Sequence, residues 1–106
     1  MEVERIKYER TGGFGGMRLS TDLRREDLSE EQASRISELL DDLDFEELPE
    51  QMIDEEAVPD QFTYTITVET KEGDEHTVVT GDASAPEKMQ ELLRLLDRLA
   101  RTKKKH

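Results

Sequence analysis

The sequence predicts a two-layer α+β domain in which a four-stranded, largely antiparallel sheet carries two main helices on one face, in the order ββαββα. Three observations support this prediction: two pairs of strand-like runs, two helical segments that begin with capping boxes, and an apolar face on every element. The 106 residues suffice for one modest hydrophobic core, so we expect a single domain over residues 1–106.

The first half of the chain begins with two strands, expected at about residues 3–10 and 17–22. Ile6 and Tyr8 alternate with charged residues, which is the period-two pattern of a half-buried strand. Met17 and Leu19 repeat that pattern after a glycine-rich stretch, so the two strands should form an antiparallel hairpin. Residues 22–27 are expected to be a polar connector.

A helix is expected next, over about residues 29–43. Ser29 and Gln32 have the spacing of a capping box, in which each side chain accepts a hydrogen bond from an otherwise unpaired backbone amide. An apolar stripe follows at helical spacing, formed by Ala33, Ile36, Leu39, Leu40 and Leu43. An acidic connector should then occupy residues 44–60, with a single added turn before Pro49, and residues 50–58 should be exposed and mobile.

The second half repeats the order of elements. Phe62, Tyr64, Ile66 and Val68 alternate with threonines, and strands are expected at about residues 61–70 and 75–80 around a turn. Ser84 and Glu87 form a second capping box with a proline between them, which predicts a helix over about residues 85–101. Leucines and Met89 form its inner face, and a basic tail over residues 102–106 follows. The order of the strands across the sheet cannot be deduced from these patterns.

The net charge of −12 is unevenly distributed. Residues 41–60 contain ten acidic residues and no basic one, so this segment accounts for most of the excess. Such a segment repels phosphate backbones, which argues against a nucleic-acid partner. Two alternatives remain for it: a solvated loop, or a surface that attracts a basic protein.

The composition argues against a membrane protein. The sequence has no apolar run of 18 residues and no signal peptide, so we expect a cytoplasmic protein with no membrane partner. Cysteine is absent, which rules out disulfides and thiolate metal ligands. We favour a monomer.

The sequence offers little for catalysis, and we expect no enzyme activity, no cofactor and no metal site. It contains two histidines, of which His76 lies in a predicted strand and His106 ends the chain. No zinc-protease, nucleophile-elbow or phosphate-loop motif is present. The acidic run lacks the ligand spacing and central glycine of an EF-hand, which leaves only adventitious calcium binding open.

The main candidate for partner binding is the loop between the first two strands, which consists of Gly12, Gly13, Phe14, Gly15 and Gly16. Glycine loses more backbone freedom on folding than alanine, so four glycines together indicate positive φ angles or close approach to another molecule. An aromatic residue in their midst suggests a side chain presented to a partner. The alternative is a bulged hairpin in which Phe14 packs onto its own core.

Two stretches resemble the emfourin family. They are Ile6–Leu19, which contains the glycine loop, and Pro59–Val68, which is followed by a charged hairpin and a leucine-rich helix. Emfourins are small prokaryotic protein inhibitors of thermolysin-like zinc metallopeptidases. The resemblance implies such a peptidase as partner. The glycine loop with its central aromatic residue is our predicted inhibitory contact, and Asp60 and Phe62 are candidate secondary contacts. The alternative, from another functional class, is a non-inhibitory module whose segment 41–60 binds a basic partner.

Overall fold

The α+β prediction is confirmed in a computed structural model, which describes residues 2–12, 17–50, 62–81 and 85–103. The main elements follow one another as ββαββα: β1 (Val3–Gly12), β2 (Met17–Arg24), α1 (Glu30–Leu43), β3 (Phe62–Thr70), β4 (Glu75–Gly81) and α2 (Glu87–Lys103). No helix in the described part of the chain is both long enough and apolar enough to cross a bilayer.

The four strands form one antiparallel sheet with the spatial order β2-β1-β3-β4. β1 and β3, which are distant in sequence, occupy the centre, and β2 and β4 form the two edges. Ile6 of β1 lies opposite Leu23 of β2 on one side and Val68 of β3 on the other. This register places apolar residues from all three strands in one row, where they can be buried together.

One face of the sheet is apolar and the other is polar. On β3, Ile66 and Val68 are almost fully buried, whereas the alternating threonines point to the opposite, outer face. On that outer face the hydroxyl groups of Thr67 and Thr77 lie 3.0 Å apart and form a cross-strand hydrogen bond. The period-two pattern in the sequence therefore predicted correctly which side chains of β3 enter the core.

Both helices contribute to the same core as the inner face of the sheet. α1 begins where the capping box predicted: the Gln32 amide donates to the Ser29 hydroxyl at 3.1 Å, and the Ser29 amide donates to the Gln32 side chain at 2.9 Å. Its stripe is buried at its centre, and α2 inserts a longer apolar stripe into the same cluster; the buried residues of the two helices are Ile36, Leu39, Leu40, Met89, Leu92, Leu93, Leu96 and Ala100. α2 begins at Glu87, and Ser84 of the second predicted capping box lies outside the described residues.

The predicted polar connector at residues 22–27 is wrong in its first part. β2 continues to Arg24, and Leu23 is only 2% exposed because it extends the alternation of the strand and faces Ile6 across the sheet. A 3-10 turn then spans Arg25–Asp27, where the Asp27 carboxylate accepts a hydrogen bond of 2.9 Å from the Arg24 amide.

Residues 44–50 are more ordered than a solvated connector. Asp44 ends α1 in the left-handed conformation, with φ of 51°, and a 3-10 turn follows over Phe45–Glu47. The Phe45 ring is fully buried and packs edge-on against His76, with 5.4 Å between the ring centroids. His76 Nε2 also donates to the Leu48 carbonyl at 3.1 Å, so this histidine fixes the turn onto the sheet. Residues 51–60 lie outside the described part of the chain.

Candidate functional site

The strand ends that flank the glycine loop, Gly12 and Met17, lie at one end of the sheet. Gly12 lies opposite Met17 on β2 and opposite Phe62 on β3, so residues 13–16 connect two paired strands where three strands meet. Gly12 has a φ of 102°, a conformation that side-chain-bearing residues rarely adopt. The sheet register thus brings together Gly12 and Phe62, two of the predicted site residues. Gly13, Phe14, Gly15, Gly16 and Asp60 lie outside the described residues.

Aromatic rings line the inner face just below this loop. The Arg10 guanidinium carbon lies 4.7 Å from the centroid of the Phe62 ring, within the range of a cation–π contact. The Tyr64 ring centroid is 6.4 Å from that of Phe62 and 6.3 Å from that of Tyr8, so the three rings form a continuous row. This row leads from the buried core toward the loop.

Asp97 of α2 joins the helix to this row. Its Oδ1 accepts hydrogen bonds from the Tyr8 hydroxyl at 3.2 Å and from Arg10 Nη1 at 2.8 Å, and its Oδ2 forms an ion pair with Arg101 Nε at 3.0 Å. The Asp97 and Arg10 side chains are each 19% exposed. Burial, and secondly the charge of Asp97, raise the pKa of Tyr8 because both disfavour the phenolate. Tyr8 therefore remains a hydrogen-bond donor well into the alkaline range.

A groove of about 650 Å³ lies between α2 and this part of the sheet. Tyr8, Tyr64 and Leu93 contribute its aromatic and apolar walls. Among the described residues, its charged and polar lining consists of Arg10, Gln90, Arg94, Asp97, Arg98 and Arg101, which is four arginines and one aspartate. The groove therefore carries a positive local charge in a chain whose net charge is −12.

The outer face of the sheet carries exposed ion pairs. Arg5 pairs with Asp22, and Arg18 pairs with Glu9. The hydrogen bond from Arg5 holds the pKa of Asp22 below its usual value. Pairs this exposed contribute little to the free energy of unfolding, so they mainly keep this face hydrated.

The arrangement is suited to binding. Within residues 2–12, 17–50, 62–81 and 85–103, no group of three or more histidine, cysteine, aspartate or glutamate side chains is placed to hold a metal ion. The guanidinium groups and rings at the loop end donate hydrogen bonds and offer flat apolar surfaces, the properties of a protein contact. Sequence reasoning missed Arg10, Tyr8 and Asp97, which meet across a separation of almost ninety residues.

Comparison with known proteins gives two similarities. The Emfourin family model matches residues 8–97. Among solved structures, the chain is similar to emfourin (M4in) from Serratia proteamaculans, an M4 family peptidase inhibitor, with 21% sequence identity, 86% of each chain covered and a TM-score of 0.49. No curated protein matches the chain. The family match runs from Tyr8 to Asp97 and includes both the glycine loop and most of the groove.

Proposed function

The chain belongs to the emfourin family, and from this premise we propose that it inhibits a thermolysin-like zinc metallopeptidase by inserting the glycine loop into the active-site cleft. Family membership makes the chain a peptidase inhibitor and not an enzyme. We propose three further points: the target is a thermolysin-like peptidase, the glycine loop makes the contact, and the loop enters the active-site cleft.

The observation that carries the proposal is the double pairing of Gly12. Because β2 and β3 flank Gly12 on both sides, the point where the loop leaves the sheet is fixed in three strands. A loop that is anchored in this way loses less conformational freedom on docking than a free segment would, and the saving strengthens binding. An inhibitor that must enter a narrow cleft without being cleaved benefits from such an anchor at Gly12.

Phe14 is the proposed anchor within the loop. A thermolysin-like cleft has an apolar pocket beside its catalytic zinc, and a phenylalanine side chain has the bulk to fill such a pocket. Burial of an aromatic side chain of this size contributes about 1.5–3 kcal/mol. Residues 12–16 contain no histidine, cysteine or carboxylate, so the loop would shield the zinc from water without coordinating it.

Phe62 is the proposed secondary contact, together with Asp60. Its ring lies one strand away from the loop and is held beneath the Arg10 guanidinium. It remains half-buried, so part of its surface is available to a partner that covers the loop. Contact at Phe62 would extend the interface from the loop onto the sheet.

A second candidate function remains for the acidic segment. The 3-10 turn at Phe45–Glu47 is anchored by a buried ring and presents Glu46 and Glu47 as exposed carboxylates. A basic partner bound there would be held by exposed charges, whose attraction is screened over about 10 Å at 0.1 M salt. Such binding would weaken steeply with salt, whereas a contact centred on Phe14 would change much less.

Titration of the purified chain into a thermolysin-like peptidase tests the proposal. We expect near-stoichiometric loss of peptide hydrolysis with the wild-type chain. A folded Phe14→Ala variant should bind the peptidase about ten- to a hundredfold more weakly, which corresponds to the free energy of the lost burial. Glu72→Ala, an exposed change in the turn at the opposite end of the sheet, is the matched control and should inhibit normally.

Two outcomes would contradict the proposal at different levels. If several thermolysin-like peptidases keep full activity in the presence of the wild-type chain, the proposed target class is wrong. If the wild-type chain inhibits and folded Phe14→Ala inhibits equally well, the target class stands and the loop assignment fails.

A further inference from the structure

We propose that the groove between α2 and the sheet is a second binding site, which takes an extended, acidic segment of a protein partner. In that segment carboxylate side chains alternate with apolar ones. The inference is independent of peptidase inhibition, because it depends on α2 and the inner face of the sheet and not on the glycine loop.

The charge of the groove favours an anionic occupant. In the described part of the chain its lining contains four arginines, Arg10, Arg94, Arg98 and Arg101, and one carboxylate, that of Asp97. Each guanidinium has five N–H donors in a planar fork that matches a carboxylate; Asp97 accepts a hydrogen bond from Arg10 and forms an ion pair with Arg101. The Arg10 and Asp97 side chains are each only 19% exposed, so the position of the Arg10 guanidinium is set before a ligand arrives.

The spacing of the arginines favours an extended peptide over a single small ion. Arg94, Arg98 and Arg101 follow one stripe of α2, and seven residues of helix span about 10 Å. Alternate side chains of an extended strand point the same way at intervals of about 6.6 Å. Two carboxylates of such a segment can therefore meet two different arginines, while inorganic phosphate would engage one end of the row.

The walls of the groove determine what lies between the carboxylates. Tyr64 is half-buried and Leu93 is almost buried, and both line the groove beside the arginines. They offer an apolar surface to a side chain that points away from the guanidinium row. A segment in which acidic and apolar residues alternate satisfies both surfaces at once.

The net charge of the whole chain disfavours an extended nucleic acid as the occupant. A long polyanion extends beyond the groove, and the net charge of −12 opposes its binding. A short peptide needs only the local positive field of the groove. We therefore assign the site to an acidic protein segment.

Fluorescence polarisation with a dye-labelled seven-residue peptide of alternating glutamate and leucine tests this assignment. Arg94→Glu should weaken binding about tenfold, because it reverses an exposed charge inside the groove. Lys88→Glu makes the same charge change at an exposed position of the same helix outside the groove, and should weaken binding by less than about twofold. Both variants should have the same melting temperature as the wild-type chain.

The controls decide between the groove and general electrostatics. A peptide with glutamine in place of glutamate should not bind, and inorganic phosphate at matched ionic strength should not displace the acidic peptide. Equal weakening by Arg94→Glu and Lys88→Glu would overturn the assignment, as would no binding of the acidic peptide to the wild-type chain. Displacement by phosphate would show that the groove binds simple anions, and this result would also overturn the assignment.

Discussion

The two ends of the inner sheet face differ although the same strands form both. At the closed end, Ile6, Leu23 and Val68 lie in one cross-strand row and are at most 2% exposed. At the open end, Arg10 and Tyr64 pair across β1 and β3 and remain half-buried beside the groove. The closed end supplies the apolar burial that stabilises the fold, and the open end keeps polar and aromatic surface available for partners.

The difference arises from what covers each end. Near the closed end the Phe45 ring packs edge-on against His76, which pairs with Val68 on the neighbouring strand. At the open end α2 faces the sheet with arginines, so the space between them stays accessible as a groove. Water is therefore excluded at one end and admitted at the other by side chains that come from outside the sheet.

The largest test of this comparison replaces a fully buried and a half-buried inner-face residue of β3. Ile66 is fully buried, and Ile66→Ala should lower the free energy of unfolding by about 2–5 kcal/mol. Phe62→Ala removes a larger side chain, yet it should cost only about 1 kcal/mol because the ring is half-buried and its cation–π contact with Arg10 is partly hydrated. Urea denaturation of both variants measures the difference, and equal losses would refute the contrast.

A smaller effect is expected at Asp97, which ties α2 to the open end. Asp97→Asn keeps the size of the side chain but removes the charge that Arg10 and Arg101 share. We expect a loss of about 1–3 kcal/mol, typical of a hydrogen-bonded charge in a partly buried site. Glu91→Gln is the control on the same helix: its ion pair with Arg35 spans 3.2 Å at the surface and should contribute less than about 1 kcal/mol. Thermal or urea unfolding that ranks the two variants the other way would contradict the role of Asp97.

The smallest effect is a dependence on alkaline pH at Tyr8, where the two ends meet. Burial raises the pKa of Tyr8 in the folded chain, so the folded state retains this proton when the unfolded state begins to lose it near pH 10. The contribution of Tyr8 is thus fully present below about pH 10 and declines above it. By about pH 11, wild type should lose about 1 kcal/mol more than Tyr8→Phe does. If the free energies of unfolding of the two proteins change equally between pH 9 and 11, folding does not raise the pKa of Tyr8.

Much of the closed end could be predicted from sequence because its signals are local. Alternation in β3 and the capping box at Ser29 act over two to four residues, and the structure has both as predicted. Leu23 was missed because the charged residues around it resemble a connector, although its alternation with Leu19 was a usable signal. Phe45 was missed because acidic neighbours mask a single buried ring.

The open end could be predicted only in part, because its side chains meet through tertiary structure. The glycines and Phe62 stand out in the sequence, and the register places Gly12 beside Phe62. Asp97, in contrast, is one acidic residue in a charged helix, and nothing local distinguishes it. Its role depends on the strand order and on where α2 crosses the sheet, and neither has a signature in the sequence.

The hydrogen bond from the Val79 amide to the Glu50 carbonyl, at 2.7 Å, has a consequence for solubility. Val79 belongs to an edge strand, and unpaired amides on such an edge invite pairing with another chain, which leads to aggregation. The Glu50 carbonyl accepts a hydrogen bond from one of these amides within the same molecule. It also places a carboxylate-bearing residue at the edge, where it repels a second copy of this acidic chain. The segment after α1 thus hinders the pairing of β4 with a strand of another chain.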